Sequence, residues 1–292
     1  MLDRADIPSG RVRAIAPEPL PVSAMMRGKP VAEVVDLLPR LFNLCRGAQA
    51  TALNLALGLE GAGDDMLVQE IRNDHLLRLA IVLPQRLGLD RLAVPFNDPA
   101  QLPNALFGAP TLPDNAVEFD DFLRGDSGIA PILRAIRDRF APGEATCPQL
   151  PPVGADMTLN AAENSVAARH LDHPILCHVE AQFGRGPYWR VTARAVDLDA
   201  LLHGDLPAPR LVAPHTAVVP AARGQYMVRA RAEAGRITDL HRITPTDHML
   251  APGGILEHSL ATLPASKHDQ AALLVDILDP CVPIRLEGLT DA

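Results

Sequence analysis

The stretch ILDPCVPIRLEG, residues 277–288, decides how this chain is read. It sets Cys281 directly after Asp279 and Pro280, and Cys281 is one of only four cysteines. The others, Cys45, Cys147 and Cys177, are scattered, with no CxxC or other close pair, so neither a zinc finger nor a thioredoxin-type motif is written here. A free cysteine is ordinarily a small buried hydrophobe. The alternative is a metal ligand that the fold carries to a distant partner.

Working outward, the 292 residues suffice for one large domain or two modest ones. They are read as a single unit, 1–292, with an irregular segment over 1–29 and Pro-rich connectors near 90–115 and 141–154. Hydrophobic residues make up 48% of the chain while aromatic residues are only 3%, so the core is expected to be built from Leu, Val, Ile and Ala. The formal charge of −8 argues against a nucleic-acid partner. No basic N-terminal start precedes an apolar run, and no apolar run is long enough to span a bilayer. The expectation is a cytoplasmic protein with reduced thiols and no membrane insertion.

Residues 30–59 read as helix, interrupted or kinked at Pro39. Beyond it Leu41, Leu44, Cys45, Ala48, Ala52, Leu55 and Leu59 fall at steps of three and four, predicting one apolar stripe that carries Cys45. A second helix is predicted over about 65–88, a loop over 90–115, and short helices over 128–140, 158–171, 253–263 and 267–278. YWRVTARAVDL, residues 188–198, alternates with period two, and residues 224–244 read as two strands joined by a tight EAGR turn. Helices, then a small antiparallel sheet, then helices again predict an α+β architecture that is mostly helical.

The run HLDHPILCH, with His170, His173, Cys177 and His178, offers metal-ligand chemistry. His170 and His173 have helical spacing, but Pro174 interrupts any helix that would present them, so a structural or surface segment is the plainer reading. No G-x-S-x-G, P-loop or dinucleotide fingerprint is present.

DPCVPIRLE resembles the C-terminal D-P-C-x-x-C-x-x-H motif of the large subunit of nickel–iron hydrogenases. RLFNLCRGAQ, residues 40–49, resembles that family's R-x-C-G-x-C-x-x-x-H motif. RGKPVAEVVDLLPRLFNLC resembles the approach to that motif. Residues 220–260 resemble the A-P-R-G-x-L … G-x-I … P-T-x-W-N … G-x-x-E-x-x-L succession, in the right order. The likeness covers the greater part of the chain and leaves the Pro-rich centre unaligned. In the family the two cysteine motifs supply four thiolates to a nickel–iron centre, and soft thiolates suit such metals.

The departures from the motifs shape the expectation. Arg40, Cys45, Asp279, Pro280 and Cys281 match. Phe42, Asn43 and Gln49 replace the first cysteine, the glycine and the histidine of the first motif. Ile284 and Glu287 replace the second cysteine and the histidine of the last. One thiolate is gone from each motif, and the family's proton-handling glutamate has no clear counterpart. The resemblance therefore implies that nickel is not held and hydrogen is not oxidised. Arg223 and the Pro245–Thr246 pair match residues that lie beside the cyanides of the family's Fe(CN)2CO group. A guanidinium and a hydroxyl can both donate to a cyanide nitrogen.

This combination looks like the large-subunit-like accessory proteins of uptake hydrogenases, the HupK/HoxV type. That implies a degenerate, shortened large-subunit-like fold. It also implies a non-catalytic maturation scaffold that binds Fe(CN)2CO transiently through Cys45 and Cys281, with Arg223, Pro245 and Thr246 around its cyanides. Its partners would be hydrogenase maturation proteins and the hydrogenase large-subunit precursor. Two alternatives stand beside it: a metal-free interaction protein or chaperone for those partners, and a metalloenzyme using the His170–His178 cluster. His75 is read as a satisfied core histidine, and Cys147 and Cys177 as structural.

Overall fold

A computed structural model describes residues 12–42, 44–59, 64–154 and 158–288. The segment 12–29, expected to be irregular, carries strand β1 (Arg13–Ile15) and a short helix α1 (Val22–Met26); residues 1–11 lie outside the described residues. The single long helix predicted over 30–59 is two helices, α2 (Val31–Leu41) and α3 (Arg46–Leu57). Pro39 stays inside α2, and the chain breaks after it, at Phe42–Cys45. The break persists because its polar groups are satisfied from elsewhere. The Glu70 carboxylate accepts from the Gly47 and Ala48 N–H groups at 2.6 and 3.2 Å, and the Gln49 amide donates to the Phe42 carbonyl at 3.2 Å. The predicted stripe is split with it. Cys45, Ala48 and Ala52 are buried, whereas Leu44 and Leu59 are exposed.

The helix expected over 65–88 is present as α4 (Asp64–Leu77), one π-helical turn (Arg78–Val82) and α5 (Leu83–Leu87). Inside the predicted loop 90–115 lies α6 (Leu102–Phe107), preceded by a 3-10 turn. Its prolines sit in the first turns, where a missing N–H costs nothing. Then come α7 (Ala116–Arg124), α8 (Ala130–Arg139) and α9 (Pro174–Phe183). Pro174 starts α9 rather than interrupting a helix, and His173 is its N-cap. Only Val166–Arg169 of the expected 158–171 helix turns, as a 3-10 segment. Asn164 is committed elsewhere: its amide donates to the Gln225 carbonyl and accepts from the Gln225 N–H, at 3.0 and 2.7 Å.

The alternating 188–198 segment is not a strand. It lies within α10 (Pro187–Leu202), in contact with α4, α8 and α9. Almost every side chain of α10 is buried, so no polar face imposes a 3.6-residue period on the sequence. Arg190, Arg194 and Asp197, spaced four and three apart, are the helical signal that the alternation obscures.

After α10 the sheet forms. Strands β2 (Arg210–Ala213), β3 (Thr216–Ala221), β4 (Gly224–Glu233) and β5 (Arg236–Ile243) pair antiparallel in that order. The predicted hairpin is β4–β5, closed between Glu233 and Arg236, with Ala234 and Gly235 at φ 47° and 73°. Two successive positive φ values are what a two-residue hairpin turn needs. Ala217, Val219, Ala221, Tyr226, Val228 and Ala230 point to one face and pack with α2 and α3 into one apolar cluster. Val218 and Met227 point to the other, as the period of two requires. The β5 edge is covered by residues 28–31, through Gly28 N–H to Ile237 O at 2.8 Å and Ile237 N–H to Lys29 O at 3.0 Å.

The chain closes with α11 (Pro245–Leu250), α12 (Ile255–Ala261), α13 (Ala271–Leu278) and β6 (Arg285–Glu287). β6 pairs antiparallel with β1, Ala14 opposite Leu286. A second, larger apolar cluster gathers side chains of α4 through α13. The helix-rich α+β class is as expected. Among the described residues no helix is long and apolar enough to cross a membrane.

Candidate functional site

Five parts of the chain converge at one buried place. The break before α3 brings Cys45, and the loop after α13 brings Asp279 and Cys281. The turn between β3 and β4 brings Arg223, the first turn of α11 brings Thr246, and α4 with its π turn brings Asp74, His75 and Arg78. Cys45 is buried and Cys281 partly exposed; Cys281 packs on the apolar cluster that contains Cys45, and Arg223 reaches both the Cys45 sulfur and the Asp279 carbonyl two residues before Cys281. The structure thus joins the two cysteines that the sequence set far apart. Cys281 is the more acidic of the two. The Cys45 thiol donates to it, burial opposes ionisation, and the Arg223 charge and the Thr246 hydroxyl favour its thiolate. Cys45 is pushed up by that same bond and by its burial.

Thr246 is held rigidly. Thr244 caps α11 reciprocally, accepting from the Asp247 N–H at 3.2 Å and donating its own N–H to the Asp247 carboxylate at 2.7 Å. Pro245 occupies the first helical position, where its fixed φ suits the turn. The Thr246 hydroxyl oxygen then accepts from the Cys281 N–H at 2.9 Å.

Arg223 is anchored on three sides. Its Nε donates to the Asp279 carbonyl at 2.9 Å, and its Nη2 donates to Asp279 and Asp74 carboxylate oxygens, each at 3.1 Å. The remaining nitrogen, Nη1, faces the Cys45 sulfur at 4.0 Å. Asp279 sits in left-handed backbone (φ 58°), buried, with Arg78 and Arg194 also on its carboxylate. Burial raises the Asp279 carboxyl despite these arginines. Burial also works against the charge on Asp74, but Arg194 and Arg223 outweigh it and hold Asp74 low.

His75 is a satisfied core histidine, as read. Its Nε2 bonds Asp197 at 2.7 Å and its Nδ1 meets Arg194 at 3.1 Å. Burial lowers its pKa more than Asp197 raises it. Asp197 also takes Arg169 and His170, each at 2.7 Å. Arg169 in turn donates to the Ala221 and Gly224 carbonyls at 3.0 Å, fixing the turn that carries Arg223.

The His170–His178 run does not assemble. His170 bonds Asp197, His173 caps α9, the Cys177 thiol donates to the Leu171 carbonyl, and His178 meets Gln182 and, at 3.7 Å, Asp120. Among the described residues no three His, Cys, Asp or Glu side chains are grouped to hold a metal ion. The metalloenzyme reading built on this run is therefore corrected: Pro174 opens a helix that leaves Cys177 exposed while His170 is drawn in to Asp197.

Sequence reasoning missed the Arg78, Arg194, Asp74 and Glu70 shell. The signal was there in RNDHLLR, residues 72–78, which spends five polar or charged residues on a helix that packs into the core. Phe42 and Ile284, which stand at cysteine positions of the resembled motifs, are held by packing. Phe42 lies under the Arg242 guanidinium, 4.0 Å from ring centroid to Cζ, and Ile284 packs on the larger apolar cluster.

Helices around a small antiparallel sheet, with the last loop brought back beside the break before α3, make a hydrogenase-large-subunit-like fold. Solved structures share this fold. The Ni-Fe-Se hydrogenase of D. vulgaris Hildenborough in the reduced state matches with a TM-score of 0.56 at 13% identity, covering 94% of each chain. Its as-isolated oxidized state gives 0.56 at 12% identity, covering 89% of this chain and 90% of that one. No family model matches the chain. The hydrogenase expression/formation protein HupK of Rhodobacter capsulatus is 46% identical over 98% of this chain and 97% of its own length. The HupK of Bradyrhizobium diazoefficiens is 26% identical, covering 91% of this chain and 90% of its own. The chain belongs to the HupK family of hydrogenase expression/formation proteins.

Proposed function

We propose that this chain is a non-catalytic scaffold in hydrogenase maturation, holding an Fe(CN)2CO unit as cargo before passing it to a hydrogenase large-subunit precursor in the cytoplasm. The observation that carries this reading is the convergence of Cys45 and the Asp279–Cys281 loop on Arg223 and Thr246, while Phe42 and Ile284 stand where the resembled motifs have two more cysteines. Two thiolates and three diatomic ligands leave one coordination position open on an octahedral iron, which suits a cargo that must leave again. The donor set fits the cargo. Soft sulfurs would take the iron, and a guanidinium nitrogen with no carboxylate of its own, Arg223 Nη1, lies 4.0 Å from the Cys45 sulfur. Pro245 contributes by fixing the helix start that presents Thr246.

A metal-free interaction role has one observation in its favour. Asp74 and Asp279 already satisfy most of Arg223, so the cluster is complete as a structural knot without cargo. Infrared spectroscopy separates the two. The protein purified anaerobically from a host with the full maturation machinery is expected to show CO and CN⁻ stretching bands that vanish in Cys45→Ala and in Cys281→Ala. No bands in the wild type, with both variants still supporting hydrogenase formation, would overturn the scaffold.

A further inference from the structure

We propose that a small cavity under α10 binds one halide-sized monovalent anion, such as chloride. The cavity measures about 20 Å³ and is lined almost wholly by buried residues. Arg190 and Arg194, one turn apart on α10, line it together with Arg223 and Ser165. Its other walls are apolar side chains from the 3-10 segment Val166–Arg169, α11 and α13. Among the described residues no carboxylate lines it, and neither do Cys45, Cys281 or Thr246. It is therefore separate from the cysteine site, although Arg223 borders both.

Two observations give the cavity its sign. The charges around it are uneven. Arg78, Arg194 and Arg223 share two carboxylates, Asp74 and Asp279. Arg190 is matched by Glu163 alone. One guanidinium charge is thus left without a carboxylate of its own among the described residues, and buried charge is ordinarily paired. The second observation is an orphaned donor. Arg190 Nη1 and Nη2 donate to Glu163 at 3.1 and 3.2 Å, but its Nε is buried with no hydrogen-bond partner. Buried polar groups are nearly always hydrogen-bonded. A water would pair that N–H and leave the charge surplus standing; an anion answers both. Size then selects the anion. The space takes a single water-sized occupant, so a halide enters, whereas tetrahedral sulfate or phosphate does not.

The site uses neither thiol and no iron, so its failure would leave the scaffold reading untouched. Trp189 reports on it directly. It is the only tryptophan of the chain, it is fully buried, and the Arg190 guanidinium lies 5.4 Å from its ring centroid. The full chain, without added metal, is titrated with sodium bromide while sodium gluconate holds the ionic strength constant. Bromide bound beside Arg190 quenches tryptophan emission by the heavy-atom effect. The expected result is a saturable loss of Trp189 emission that chloride reverses and sulfate does not. Crystals grown in bromide should show an anomalous-scattering peak within hydrogen-bond distance of Arg190 Nε. Val166→Ile adds a methylene at the cavity wall and removes no charge; it should lose both signals while still unfolding cooperatively in urea. Quenching that rises only linearly with bromide, or a bromide map without that peak, overturns the proposal. So does sulfate that competes as well as chloride, the mark of a general salt effect, or a Val166→Ile variant that keeps both signals.

Discussion

At the scale of single residues, Asp279 is the centre of the site's electrostatics. It is a carboxylate, almost wholly buried, in left-handed backbone, and it faces Arg78, Arg194 and Arg223. Removing one member of a buried ion network leaves the others charged without a partner, which costs about 3–5 kcal/mol. Asp279→Asn keeps a side chain that tolerates left-handed backbone, so it isolates the charge. The variant is expected to lower unfolding stability by about that amount in urea titration. A midpoint unchanged from the wild type would show that the three guanidiniums find other acceptors. Cys281 follows Asp279 by two residues, so the same variant is expected to loosen the loop that presents it.

At the scale of elements, the turn between β3 and β4 is the tightest joint in the site. Gly224 adopts φ 144°, and a Cβ there would stand 2.5 Å from the Asn164 side-chain oxygen and 2.6 Å from its carbonyl. Gly224→Ala therefore meets both strain and collision. We expect a loss of at least about 2 kcal/mol, read by thermal or urea unfolding. Asn164 lies in the segment predicted helical, and its commitment to the Gln225 backbone is why that prediction failed. The β4–β5 hairpin was legible because its alternation and EAGR turn are local signals. α10 was not, since a helix surrounded by protein carries no amphipathic period. The candidate site was half legible. Cys45, Cys281, Arg223 and Thr246 announced themselves through motifs, while Asp74, Arg78 and Arg194 act through charge pairing across the fold that no spacing encodes.

At the scale of the molecule, the buried charges set an acid limit on stability. His75 is lowered by burial, so the unfolded chain binds its proton first, and stability falls as pH drops below about 6.5. Burial works against the Asp197 charge, but Arg169 and the bonds from His170, His75 and Arg169 overcome it and hold the carboxyl well below its usual range. Its stabilisation is complete above the unfolded carboxyl value, about 3.9, and is lost as pH falls through the folded value. Glu70 and Asp279, raised by burial, work in the opposite sense just above pH ~4, where the folded state takes their protons first. Urea midpoints measured against pH should therefore decline from near neutrality, flatten above pH ~4, and drop again below it. Asp197→Asn should shrink the final drop, leaving the part due to Asp74 and Glu163, and lower stability at neutral pH, because Arg169 loses its carboxylate partner.

The two halves of the pocket also differ in when they come into being. Cys45 is made well before Asp279 and Cys281, which follow it far along the chain. At about 5–20 residues per second, translation separates the two thiols by an interval on the order of tens of seconds. Through that interval the nascent chain presents a lone cysteine with neither its sulfur partner nor the carboxylate that seats Arg223. The arrangement around Arg223 is complete only once translation has passed Cys281.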